Sequence, residues 1–143
     1  MLKRVVLDTN CLIQSISHHS PYYRIWADFI AGRYALCITT EILEEYAEIL
    51  ARYLSPAVSE LVIAAILRAN NTVRVDAQFR FGLIAADPDD NKFVYCAIVS
   101  NAEYIVTNDT HFDCLATIPF PHVNVRSIDE FLEELSGNGV TEV

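Results

Sequence analysis

Five short apolar runs recur along this chain, each separated from the next by a stretch with helical periodicity, and that alternation restricts the fold more than any other feature. The runs are Lys3 to Leu7, Tyr34 to Ile38, Thr72 to Val75, Tyr104 to Thr107 and Val123 to Arg126. Runs such as Val5-Val6-Leu7 and Tyr104-Ile105-Val106 are apolar at successive positions rather than alternate ones. Strands of that kind are covered on both faces, which is the property of parallel sheets flanked by helices. The expected fold class is therefore α/β, with a central, mainly parallel five-stranded sheet.

The intervening stretches read as helices. One region extends to about Ile30, broken near Ser17 to Pro21, with Ile25, Trp26, Phe29 and Ile30 at helical spacing. Thr39-Thr40 caps a helix to about Tyr53, with Ile42, Leu43, Tyr46, Ile49, Leu50 and Tyr53 on its apolar stripe. Ser55-Pro56 starts another to about Ala69, carrying Leu61, Val62, Ala65 and Ile66. Asp87-Pro88-Asp89-Asp90 opens a helix with Phe93, Val94, Ala97 and Ile98 inward, after a connector at 77–86. A short helix is expected at His111 to Ala116, and Ser127 with Glu130 forms a capping box for the last one. Residues 1–136 read as one domain and 137–143 as a C-terminal tail.

Four acids stand out against this frame. Asp8 directly follows the first strand and Asp109 the fourth, so both belong at the carboxyl edge of the sheet, where open α/β sheets bind ligands. An acid directly after a buried strand cannot enter the core unpaired. Asp8-Thr9-Asn10 could merely cap the next helix, and Thr107-Asn108-Asp109 could merely form a turn. Asp90 lies three and four residues before Phe93 and Val94, on the inward face, which favours it over Asp89. Glu45 borders the apolar stripe between Ile42 and Ile49, with Glu44 as the alternate. Carboxylates gathered in one place require protons or a cation, and hard oxygen donors suit Mg²⁺ or Mn²⁺. Asp113 and His111 are possible supports.

The remaining composition is mostly exclusionary. A net charge of −9, from 19 acidic and 10 basic residues, weighs on its own against a nucleic-acid partner. The basic residues form no linear stripe. Cys11, Cys37, Cys96 and Cys114 make no C-x-x-C pair and read as buried, reduced thiols. No segment is apolar for long enough to span a bilayer and no signal segment opens the chain, so the cytoplasm is expected. Phosphate-binding glycine loops and a G-x-S-x-G elbow are absent. A phosphoacceptor signalling domain also gathers acids at strand ends, but it needs a late Lys, and none follows Lys92.

At these residues the chain resembles the PIN-domain family, and within it the toxin-like nucleases of the VapC kind. The resemblance rests on Val6-Leu7-Asp8-Thr9-Asn10, on Thr40-Glu41-Ile42-Leu43-Glu44-Glu45-Tyr46, on Asp87-Pro88-Asp89-Asp90-Asn91-Lys92-Phe93, and on Tyr104-Ile105-Val106-Thr107-Asn108-Asp109. Each motif is short, but their order covers essentially the whole chain. The resemblance implies a three-layer α/β/α sandwich and an Mg²⁺- or Mn²⁺-dependent endoribonuclease. It assigns the acidic, metal-holding roles to Asp8, Glu45, Asp90 and Asp109, and supporting roles to Thr9, Asn10 and Thr107. It further implies a homodimer, an RNA substrate and a cognate antitoxin. A catalytically idle domain of the same fold, acting through protein binding, is the alternative.

Overall fold

In the computed structural model, five strands form one sheet in the order β3-β2-β1-β4-β5, and every adjacent pair is parallel. The structure describes residues 1–76, 91–119 and 121–141, with side chains through 137. The strands are β1 (Arg4–Leu7), β2 (Ala35–Ile38), β3 (Thr72–Arg74), β4 (Tyr104–Val106) and β5 (Val125–Arg126). The helices are α1 (Thr9–Gln14), α2 (Tyr23–Ile30), α3 (Thr40–Tyr53), α4 (Pro56–Arg68), α5 (Asn91–Ser100) and α6 (Ile128–Thr141), with a 3₁₀ helix at Thr110–Thr117. The helix α6 continues past Gly137, where the sequence pattern starts the tail.

Local chemistry explains the boundaries. The Thr39 hydroxyl accepts from the Ile42 amide at 3.1 Å and starts α3. Ser55 does the same for α4, accepting from the Val58 amide at 3.0 Å, with Pro56 at the first helical position. The capping box at α6 is reciprocal: the Ser127 amide donates to Glu130 at 2.8 Å and the Glu130 amide to Ser127 Oγ at 3.0 Å. Strands β2 and β4 are buried at every position, as a sheet covered on both faces requires. Helix α5 packs on β1, β2 and β4. From α6, Phe131 meets the Tyr34 and Tyr104 rings edge-on at centroid distances of 5.2 and 6.0 Å.

Three expectations need correction. Leu61, Ile30 and Tyr53 are exposed, because α4, α2 and α3 turn Val62, Ile66, Ile25, Phe29, Tyr46 and Leu50 to the core instead. Cys114 is also exposed, since Phe112 and Leu115 take the inward positions of the 3₁₀ helix; the other three cysteines are buried. The last strand is shorter than its apolar run, starting at Val125 although Val123 is buried. Among the described residues no helix is long and apolar enough to cross a membrane.

The strand order sets the site. From β1 the chain moves to β2 and β3 on one side, then crosses back to β4 and β5 on the other. The reversal point is the seam between β1 and β4, and the loops leaving the carboxyl ends of these two strands diverge there. Such a seam opens a crevice in doubly wound sheets.

Candidate active site

Asp8 leaves β1 at this seam. Its amide donates to the Val106 carbonyl at 3.0 Å, so its backbone still belongs to the β1–β4 ladder. It occupies the N-cap position of α1, yet its side chain makes no cap hydrogen bond. The carboxylate instead accepts from Thr107 Oγ1, at 2.7 Å to Oδ2. Capping therefore does not explain this acid. Asp8 is only 7 % exposed. Burial pushes its pKa above the ordinary value; the Thr107 hydroxyl and the Thr9 amide pull it down, while Asp109 and Glu45 push it further up. Asp109 and Glu45 thus each lie close enough to Asp8 to disfavour its charge.

The segment after β4 is built as a bracket. Thr107 is buried, and while its hydroxyl donates to Asp8 it accepts from the Asp109 amide at 3.0 Å. Asp109 caps the 3₁₀ helix, with Oδ1 accepting from the His111 amide at 2.9 Å and lying 3.2 Å from His111 Nδ1. Asn108 Oδ1 accepts from the Ile128 amide at 3.1 Å, which ties the bracket to the start of α6. The turn reading of Asp109 is thus correct for one of its oxygens. That turn is also what holds the carboxylate beside Asp8.

Glu45 reaches the cluster from α3. Thr9 Oγ1 donates to its Oε2, and Lys92 Nζ lies 2.8 Å from its Oε1. These contacts favour Glu45 over Glu44, which faces a separate cavity with Glu41 and Asp76. Asp90 lies outside the described residues. Asn10, the last supporting residue, is exposed and lines a cleft of about 510 Å³ together with Asp8 and Asp109. Asp113 and His111 are exposed, and His111 reaches Asp109, with Nδ1 beside its Oδ1.

Two contributors escape sequence reading. Lys92 is a lysine only 9 % exposed that neutralises Glu45. Its signal was a cation in the first turn of α5, where the helix dipole disfavours it. Tyr46 reads simply as part of an apolar stripe, but its hydroxyl donates to the Leu7 carbonyl and fixes the backbone immediately before Asp8. Nothing in the stripe distinguishes it from a Phe.

The donors at the seam are carboxylate, hydroxyl and amide oxygens, the set that suits a small hard cation. Among the described residues no three His, Cys, Asp or Glu side chains are grouped closely enough to hold a metal ion, and Glu45 is paired with Lys92. Asp8 and Asp109 are the two acids that share the cleft.

The PIN-domain family model matches residues 4–111 of the chain. No curated protein matches it significantly. Among solved structures, VapBC2 from Rickettsia felis bound to a DNA fragment from its promoter superposes with a TM-score of 0.59 at 18 % identity, over 87 % of this chain and 98 % of that one. DNA-bound VapBC from Salmonella typhimurium gives 0.59 at 21 %, over 90 % and 99 %. VapC20 of Mycobacterium tuberculosis, a toxin that cleaves the sarcin–ricin loop, gives 0.55 at 10 %, over 80 % and 96 %. At these identities the likeness is one of fold.

Proposed function

As the chain belongs to the PIN-domain family, we propose that it is a metal-dependent endoribonuclease that hydrolyses RNA phosphodiester bonds. The observation that carries this reading is the state of Asp8. A buried carboxylate stands at the reversal point of the sheet, held by Thr107 rather than used as a cap, with its pKa raised by burial first and by two further carboxylates after it. Stability alone does not call for that arrangement.

Asp8, Asp109 and Asp90 would hold one or two Mg²⁺ or Mn²⁺ ions, with Glu45 joining directly or through water. Such an ion supplies Lewis acidity to the scissile phosphate and lowers the pKa of a bound water. Thr107 fixes the rotamer of Asp8 and favours its ionised form. Thr9 and Lys92 hold Glu45 in line with the other acids, and Asn10 offers an amide at the cleft mouth. Water adds to phosphorus in line with the departing 3′ oxygen, which leaves as a 3′-hydroxyl after taking a proton. The products are a 5′-phosphate and a 3′-hydroxyl. With 19 acidic against 10 basic residues, the chain depends on the divalent ions to offset phosphate repulsion.

The structural neighbours are toxin–antitoxin complexes and an RNA-cleaving toxin. They support reading this chain as the toxin of such a pair, restrained by a cognate antitoxin; action on RNA in the cytoplasm as a homodimer completes the proposal and rests on the family resemblance. The test is cleavage of total cellular RNA by the purified protein with Mn²⁺ or Mg²⁺, beside Asp8→Asn and an EDTA control, with mapping of new 5′ ends. Metal-dependent cuts bearing 5′-phosphates, reduced at least about 100-fold in the variant, are expected. Ends carrying 2′,3′-cyclic phosphate, or equal cutting by Asp8→Asn, would overturn the mechanism.

A further inference from the structure

The cleft containing Asp8 and Asp109 has a wall that the hydrolytic chemistry does not use. Tyr53, in the last turn of α3, is 66 % exposed and lines it beside Leu54. Tyr53 stands eight residues after Glu45 and four after Ile49, so the three share one side of α3. At ~1.5 Å per residue, Tyr53 sits about 12 Å along the axis from Glu45. A large aromatic left open to solvent within reach of the acid cluster needs an occupant more than a lone surface Leu does.

The remaining lining narrows what that occupant is. Asn10, Gln14 and Asn108 contribute neutral amides, Asp8 and Asp109 contribute carboxylates, and among the described residues no Lys or Arg lines the cleft. Because Asn108 Oδ1 is engaged by the Ile128 amide, its free hydrogen-bonding capacity is the donor NH₂. A phosphate group gains nothing from such walls. A nucleobase does: it is flat, uncharged, and carries donors and acceptors along an edge that Asn and Gln side chains match. Only an unpaired base offers a free face to an aromatic ring.

We infer that Tyr53 is a stacking platform for an unpaired nucleobase flanking the cleaved phosphodiester, with Asn10, Gln14 and Asn108 reading the edge of that base. This makes single-stranded RNA the substrate class, and it rests on the nuclease reading above. Tyr53 is a specificity-determining residue and takes no part in bond breaking.

Binding of a fluorescent, mixed-sequence single-stranded RNA is compared for the Asp8→Asn chain with Tyr53, Tyr53→Phe and Tyr53→Ala, alongside an RNA duplex. Tyr53→Ala is expected to weaken single-strand binding about five- to 150-fold, the range for one base–aromatic stack. Tyr53→Phe should stay within about twofold of Tyr53, and the duplex should bind weakly to all three. An abasic nucleotide scanned through the RNA should weaken Tyr53 binding at one position and have no further effect with Tyr53→Ala. Equal binding by Tyr53 and Tyr53→Ala overturns the inference, as does a duplex preference. So does a Tyr53→Ala variant that keeps RNA binding but changes from dimer to monomer, which assigns the wall to a protein interface. Cleavage separates the two readings: if the protein with Asp8 intact cuts RNA and Tyr53→Ala cuts it with unchanged kcat/KM, only the stacking inference fails. If it neither cuts nor binds RNA, both fail.

Discussion

Thr107 and Asp8 meet across the seam between β4 and β1, with Thr107 Oγ1 donating to Asp8 Oδ2 at 2.7 Å. The residues are 99 positions apart in sequence, and the parallel pairing of β1 with β4 brings them together. The same hydroxyl accepts the Asp109 amide, so one oxygen sets the relative position of two carboxylates.

Replacing Thr107 by Val keeps the shape and removes the donor. Asp8 then loses the larger of the two influences that favour its ionised form, and Asp109 loses an anchor. Metal-dependent cleavage should fall about 10- to 100-fold, the usual cost of losing a group that orients a metal ligand. Thr107→Ser should restore most of it, because the hydroxyl returns. Steady-state cleavage rates for the three proteins decide the matter, and equal rates for Val and Thr would remove the bracket from the mechanism.

Asp8 should also cost stability when no metal is bound. Its pKa in the folded protein is raised, mainly by burial. A group of this kind contributes stability that is fully present below its unfolded pKa and is lost as pH rises through the folded one. At neutral pH the metal-free protein therefore carries an unfavourable charge. Asp8→Asn should melt higher than the parent at pH 7 in EDTA, and the gap should close as the pH falls to about 4. Saturating Mn²⁺ should reverse the order, since binding to the native state stabilises only the chain that retains the ligand. Thermal melts across pH, with and without Mn²⁺, provide the check.

The centre of the sheet was legible in sequence because β1, β2 and β4 are buried almost throughout and therefore apolar at successive positions, whereas the edge strands β3 and β5 are only partly buried. Asp8 and Asp109 were legible for the same reason: each ends such a run, and parallel strands bring their carboxyl ends to one edge. What stayed hidden depends on long-range partners. Nothing around Tyr46 shows that its hydroxyl will find the Leu7 carbonyl, or around Lys92 that its charge will be buried against Glu45. Leu61 was misplaced because α4 is apolar around much of its circumference, so periodicity does not single out the inward face. Asp90 lies outside the described residues, and its assignment still rests on sequence.

Thiol chemistry offers a quick check on packing around the site. Cys114 is exposed, while Cys11 lies beneath Asp8, where burial and that carboxylate push its thiol up to about 12. Cys37 and Cys96 are buried, and their thiols are likewise raised by burial. Since the thiolate is the reactive form, one of the four cysteines should react rapidly with Ellman's reagent in the native protein, and all four in guanidinium. Peptide mapping after alkylation should place the fast label on Cys114. A fast second thiol at Cys11 would show that the floor of the site opens in solution.

The Glu45–Lys92 pair makes the sharpest energetic prediction. Nζ and Oε1 are 2.8 Å apart, with the Lys92 side chain 9 % and the Glu45 side chain 31 % exposed. Stranding one member of a fully buried pair costs ~3–5 kcal/mol; because Glu45 keeps some contact with water, a smaller loss of about 1–2 kcal/mol is expected for Lys92→Met. The double variant Lys92→Met with Glu45→Gln should recover part of that loss, because the Glu45 charge that Lys92 offset is removed with it. Urea denaturation of the four proteins in EDTA measures the coupling directly. In Mn²⁺ the same Lys92→Met substitution should cost less, since a bound cation takes over the neutralisation of the acid cluster. A penalty unchanged by Mn²⁺ would mean that Glu45 stays with Lys92 and takes no part in holding the metal.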